Sequence, residues 1–264
     1  TSNIEALVLG TGASQIGSRA QAAGVTAVTL VDGAGVDTLT ATTYTTGLTV
    51  TAGIGNDSIS LGSGNDNVVV DSNDELTVND TIAFGSGSDT ITTTAAAGVA
   101  NGVSLDLDNI TGLETIVLGG TTGADVSTIQ FAAVTATTSQ TITIDGSSAT
   151  TTTDNITVTN ASARNTTLFD ITTGAGADSV QGGSGGDTIA TNGNGDTVVA
   201  NQGNDTITTG LGNDSIVLGL GNDIIDAGAG NDTVTSGNGS EQITLGIGTD
   251  TVNVLRVQTS QFVY

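Results

Sequence analysis

The chain has 264 residues, enough for a sizeable core, and a formal charge of −24 from 27 acids against three arginines and no lysine. That balance excludes a basic surface that tracks nucleic-acid phosphates. The absence of Cys, His and Lys excludes disulfides, thiolate or ordinary zinc sites, Schiff-base chemistry and a Ser-His-Asp triad.

An acidic chain with 2% aromatic residues would by composition read as disordered. Its 36% apolar content and its fixed periods argue for order instead. No run of eighteen apolar residues suggests a membrane span, and no signal peptide is recognisable. The sequence opens inside a strand pattern at Ile4–Leu9 and contains no Met, which reads as a piece of a longer protein or as export without an N-terminal signal.

Taken in order, Ile4–Leu9 is a strand, and the Ala/Gln cluster at Gln15–Ala23 is the one place that suggests a short helix. Asp32-Gly33-Ala34-Gly35-Val36-Asp37-Thr38-Leu39 is a weak glycine/acid copy without a partner eighteen residues away, so its acids read as solvated turn residues. Two consecutive nonapeptides follow, Gly53-Ile54-Gly55-Asn56-Asp57-Ser58-Ile59 and Gly62-Ser63-Gly64-Asn65-Asp66-Asn67-Val68. The phase is lost over Asp71–Glu75, a degenerate copy expected to loop out. It returns at Asp80 with Ile82 and in Gly85-Ser86-Gly87-Ser88-Asp89-Thr90-Ile91.

Residues 110–172 are glycine-poor and rich in alternating Thr, Val and Ile, as in Thr141–Ile144 and Asn155–Thr159. These are strand signals. Arg164 near Asp154 suggests a surface ion pair and nothing more.

From Thr173 to Asn253 an acid stands at every ninth position: Asp178, Asp187, Asp196, Asp205, Asp214, Asp223, Asp232, Glu241 and Asp250. Two residues after each comes Val or Ile. Two before it is Gly, except at Asn194, and four before it is Gly, except at Asn192 and Asn201. A three-residue strand centred on the aliphatic points that side chain inward and its neighbours outward. The remaining residues must turn the chain, which glycine permits and which Asn, tolerant of the left-handed region, can replace.

Two nonapeptides then make one coil, and acids eighteen residues apart stack on one edge. One edge carries Asp178, Asp196, Asp214, Asp232 and Asp250; the other carries Asp187, Asp205, Asp223 and Glu241. Strands stack about 4.8 Å apart, where like charges repel by roughly 1 kcal/mol even in water. A hard divalent cation held by carboxylates and glycine-loop carbonyls resolves that conflict, and calcium suits an all-oxygen set. Nine loops paired in this way offer about seven inter-loop sites. The loops of Asp214, Asp223 and Asp232 match the pattern best, while Asn in the loops of Asp196 and Asp205 and the longer Glu241 suggest weaker sites.

A larger duplication spans the chain. Ile4-Glu5-Ala6-Leu7-Val8-Leu9-Gly10 matches Leu113-Glu114-Thr115-Ile116-Val117-Leu118-Gly119, and each half then enters nonapeptides, at Gly53 and at Gly174. The division is 1–109, with its short block at 53–92, and 110–264, with glycine-poor strands at 110–172, the long block at 173–253 and a cap or secretion tail at 254–264. The expected fold is all-β: one continuous right-handed parallel β-helix or β-roll solenoid with stacked calcium-binding loops.

The nonapeptides, with L-G-L-G-N-D-I-I-D at Leu218–Asp226 and A-G-A-G-N-D-T-V-T at Ala227–Thr235, resemble those of RTX calcium-binding proteins. The L-E-T-I-V-L-G strands alternating with them resemble most the RTX-type S-layer proteins of Gram-negative bacteria. That resemblance implies several bound Ca2+ ions, with Asp57, Asp66, Asp80 and Asp89 of the first block and the nine acids of the second as ligands. It implies type I secretion, self-assembly into sheets or filaments at the cell surface, and a glycan anchor through a region outside these residues. An adhesin stalk, or the export and folding module of an RTX enzyme or toxin, shares the same repeats. No catalysis is expected, because nearly every acid is committed to the repeat.

Overall fold

The computed structural model describes residues 6–10, 12–30, 36–70, 76–94, 104–119, 126–131, 141–148, 155–160 and 167–255. The expectations for Glu5, Asp32, Asp71–Glu75, Asp154, Arg164 and 256–264 lie outside the described residues. Every strand pair among them is parallel, and the strands stack into a β-solenoid with a single five-residue helix.

Twelve strands, from Ala6–Leu9 to Gln242–Thr244, form one long sheet through both halves. The opposite face is made of two shorter sheets in succession. Five strands from Ala13–Gln15 to Ile110–Thr111 form the first, and eight from Ser104–Asp106 to Thr251–Asn253 form the second.

The period-two alternation explains the core. In the long sheet Leu7, Val28, Val50, Val68, Ile91, Ile116, Ile144, Ile171, Ile189, Ile207, Ile225 and Ile243 occupy one unbroken column. Leu105, Ile129, Val158, Val180, Val198, Ile216, Val234 and Val252 form the facing column of the eight-stranded sheet. Burying each aliphatic contributes about 1.5–3 kcal/mol, and the two columns together are the core of the second half.

Coil length varies ahead of the second block. Acids 18 residues apart pair within the second block, whereas steps of 20, 23 and 25 separate paired acids in the first. The extra interior of the longer coils is filled by aromatic side chains: Phe84, Phe131 and Phe169 are buried, the last two with ring centroids 5.1 Å apart at 59°. Buried Tyr44 donates its hydroxyl to the Val25 carbonyl at 2.9 Å.

The helix is Ser18–Ala22, inside the expected span but shorter, because Ala13–Gln15 pairs as a strand instead. Gly24, at φ 83°, closes it with its N–H on the Gln21 carbonyl. The duplicated motifs hold equivalent places: Leu7 and Ile116 share the long-sheet column. Near residue 109 the second face changes hands within one coil, where Ile110–Thr111 ends the five-stranded sheet and Ser104–Asp106 starts the eight-stranded one. Among the described residues no helix is long and apolar enough to cross a membrane.

Candidate metal centre

Each repeat acid ends a loop and immediately precedes a strand, so successive coils bring acids together along two edges. The contact has one recurring form. The carboxylate reaches back to the preceding coil and its Oδ1 accepts the backbone N–H of the acid there. Asp196 receives from Asp178 at 2.8 Å, Asp214 from Asp196 at 2.8 Å, Asp232 from Asp214 at 2.9 Å and Asp250 from Asp232 at 3.0 Å. On the other edge Asp205 receives from Asp187 at 2.7 Å and Asp223 from Asp205 at 3.0 Å. Asp178 and Asp187 begin these ladders, accepting from the N–H groups of Ile156 and Phe169.

The first block repeats the device. Asp57 accepts from Asp37 at 3.0 Å and Asp80 from Asp57 at 2.6 Å; Asp66 accepts from Leu48 and Asp89 from Asp66, both at 2.8 Å. Here the structure corrects the reading of Asp37 as a solvated turn residue. It is 1% exposed, and its Oδ1 accepts the Gly12 N–H at 2.6 Å. Its partner Asp57 is 20 residues away, so a search at eighteen passes over it. Glu114 was also missed. It stands 25 residues after Asp89 and its Oε2 accepts the Asp89 N–H at 2.8 Å, within the strand motif Leu113–Gly119 that carries no nonapeptide pattern.

One oxygen of each ladder aspartate, and of Glu114, is therefore committed to the fold. The other is buried without a partner at Asp37, Asp57, Asp66, Asp89, Asp196, Asp205, Asp214, Asp223 and Asp232, as is Oε1 of Glu241. The Thr191 and Thr209 hydroxyls nonetheless lie near enough to Asp196 and Asp214 to favour their ionised forms. Three further acids, at ladder ends, have both oxygens bonded. Thr77 bonds Oδ2 of Asp80 through both its N–H and its hydroxyl, the Thr173 hydroxyl bonds Oδ2 of Asp178, and the Gly183 N–H bonds Oδ2 of Asp187.

Desolvation is the largest electrostatic cost. Burial pushes Asp57, Asp89 and Asp187 up to about 6 and Asp196 and Asp205 to about 7, against the backbone N–H bonds that stabilise their ionised forms. Neighbouring carboxylates add a smaller upward push at Asp57, Asp89, Asp196 and Asp205. Asp66, Asp214 and Asp223 are raised for the same first reason. An isolated ionised carboxylate is very costly in such a site.

The loops supply the rest of an oxygen cage. Gly221 has φ 144°, and a Cβ on it would fall 1.4 Å from the Gly203 carbonyl oxygen. The same would occur at Gly230 against Gly212 and at Gly248 against Gly230. Glycine here keeps a column of carbonyls open between coils. Asn192, Asn194 and Asn201 take φ of 67°, 78° and 74°, as the left-handed reading expects, so their loops keep the same path. The residue before the acid adds a further tie: Asn204, Asn213, Asn222 and Asn231 each accept an N–H from the next coil at 2.8–2.9 Å.

Among the described residues no three acidic, His or Cys side chains converge. A cation here would therefore draw on few carboxylates and on backbone carbonyls. Unpartnered buried carboxylate oxygens, an open carbonyl column and a chain without nitrogen or sulfur ligands fit calcium, which takes six to eight oxygens.

Comparison with known families bears on the same loops. Residues 49–74, 170–198, 190–225 and 219–252 match the RTX calcium-binding nonapeptide repeat, in four copies. No curated protein and no solved structure matches. The long block of stacked acid loops, and the start of the first block with Asp57 and Asp66, are thus RTX calcium-binding nonapeptide repeats.

Proposed function

We propose that this chain is a calcium-rigidified structural segment of an exported bacterial surface protein, of the S-layer type, whose copies associate into sheets or filaments. One observation carries the reading: two ladders of buried carboxylates in which most members keep one oxygen without a partner. Calcium at those oxygens supplies the charge that burial removes, and metal affinity becomes folding free energy. Asp57, Asp66, Asp89, Asp196, Asp205, Asp214, Asp223, Asp232 and Glu241 would hold it, with Asp80, Asp178, Asp187 and Asp250 at the ladder ends. The RTX repeats support export, and the S-layer assignment rests on the resemblance of the alternating strands. We assign the chain no reaction: without His, Cys or Lys, its acids serve the ladders.

A charge of −24 keeps calcium-free chains apart and soluble. External calcium at about 0.1–1 mM, the range of extracellular modules, removes that repulsion and orders the coils together. The purified chain is expected to be poorly structured and monomeric in chelator. In millimolar calcium it should be β-rich and assembled, with circular dichroism and light scattering reading the two steps and electron microscopy the product. Circular dichroism unchanged by chelator would refute the calcium reading. A chain that folds with calcium yet stays monomeric at high concentration would favour an adhesin stalk, for which the uninterrupted long sheet is the supporting observation.

A further inference from the structure

The acid ladder continues past the point where the nonapeptide sequence stops. In the first half the matched repeat ends at residue 74, and the coil after Asp89 has no G-x-G-x-D motif; it reads Asn109-Ile110-Thr111-Gly112-Leu113-Glu114-Thr115-Ile116. Glu114 nevertheless stands two residues before Ile116, which pairs with Ile91 as one repeat aliphatic pairs with the next. Its Oε2 accepts the Asp89 N–H at 2.8 Å, just as Asp89 Oδ1 accepts the Asp66 N–H at 2.8 Å. The N–H groups of Glu114 and Thr115 both close on the Asp89 carbonyl, at 3.3 and 3.0 Å.

The glycines of these loops lie close against the backbone of the preceding coil. Gly112 has φ 76°, and a Cβ there would sit 3.2 Å from the Gly85 carbonyl oxygen. A Cβ on Gly87 would lie 2.1 Å from the Gly64 oxygen and 3.0 Å from Asp89 Oδ1. Asp89 is 0% exposed and its Oδ2 has no partner. A buried carboxylate oxygen facing no donor is unfavourable unless a cation meets it.

We propose that Asp89 and Glu114 form a divalent-cation site of the calcium class, which clamps the first nonapeptide block to the coil that follows it. The site rests on the calcium reading above but lies where no repeat motif marks one. Two carboxylates from adjacent coils and the carbonyls of the facing loops make an all-oxygen donor set. The strand after Glu114 belongs to the coil in which the second face passes from one short sheet to the other. The cation therefore fastens the solenoid at the coil where the five-stranded sheet ends and the long sheet alone continues on both sides.

The test is E114Q in the full chain, which keeps an oxygen for the Asp89 N–H and removes the charge. Bound calcium is counted by native mass spectrometry and calorimetry, and hydrogen exchange is followed over residues 85–119. The expected result is one ion fewer, or one ion weakened by at least about tenfold, with faster exchange over 110–118 and unchanged exchange over 179–252. D205N should do the reverse, losing an ion while leaving 110–118 protected. An unchanged count, affinity and exchange in E114Q would overturn the site and leave the calcium reading standing. A wild-type chain that takes up no calcium would overturn both. If E114Q does not fold, D89N is read by the same count and exchange.

Discussion

Replacing one ladder aspartate by its neutral isostere should change stability in opposite directions with and without calcium. Asp205 suits the test because its roles are separable: Oδ1 accepts the Asp187 N–H at 2.7 Å, while Oδ2 is buried without a partner. Asp205→Asn keeps an acceptor for the first and removes the charge from the second. Burial first, then Asp187 and Asp223, raise the Asp205 carboxyl from 3.8 to about 7. At about 1.4 kcal/mol per decade, ionising it in the fold costs roughly 4 kcal/mol. Solvent screening at the loop rim reduces that to about 2 kcal/mol. In chelator at pH 8, D205N should therefore be more stable than wild type by about 2 kcal/mol. In millimolar calcium it should be less stable, since sites shared with the neighbouring coils lose a charged ligand. The fraction of β-structure by circular dichroism reads the gain in chelator and urea unfolding reads the loss in calcium, both at low protein concentration to keep assembly out. Equal destabilisation under the two conditions would mean that the carboxylate serves packing alone, and the argument from buried charge would fail.

The same shifts set a pH dependence. Because the folded carboxyls bind protons more tightly than the unfolded ones, their contribution is fully present below about pH 4 and is lost as pH rises through about 6–7. Calcium-free chain should thus gain β-structure on titration from pH 8 to pH 5; circular dichroism that does not change would contradict the raised values. Gly221→Ala forces a Cβ to 1.4 Å from the Gly203 oxygen at φ 144°, and should cost on the order of 4 kcal/mol. Gly193→Ala meets nothing nearer than 3.9 Å and should stay within about 0.5 kcal/mol. Melting temperatures in calcium compare the pair, and equal losses would remove the case for the open carbonyl column.

The second block was legible because its coils are all one length. With a constant period the acids, the aliphatics and even the three asparagines at positive φ follow from position alone. Ahead of the second block the coils vary by several residues, and Asp37 and Glu114 disappear from any fixed-period reading although they hold the same hydrogen-bonding place. Sequence also misjudged the nature of the charge problem. Spacing along the stack suggested repulsion between solvated neighbours. The fold instead buries most of the carboxylates, so that desolvation outweighs repulsion at Asp196 and Asp205, and it uses one oxygen of each ladder aspartate as a backbone acceptor. Nor could composition reveal that the outer face would divide into two sheets. That depends on where the long coils place Ser104–Asp106 and Ile110–Thr111.

That divided face determines how the molecule would respond to pulling. Inter-strand hydrogen bonds of a stacked solenoid run along its axis, so tension between the ends falls on the coils in series and opens them one at a time, as a zipper does. Resistance is then set by the least-fastened coil and not by the total number of bonds. Around residues 104–111 the second face offers, among the described residues, the two-residue pairing of Ile110–Thr111 with Ile82–Ala83 and the single bridge of Leu76 to Leu105 on the side of the preceding coil. The four-residue pairing of Thr115–Leu118 with Thr90–Thr93 must hold there largely alone. A surface layer or stalk built from this chain would yield first at that coil, and whatever strengthens the contact between Asp89 and Glu114 would set its breaking force.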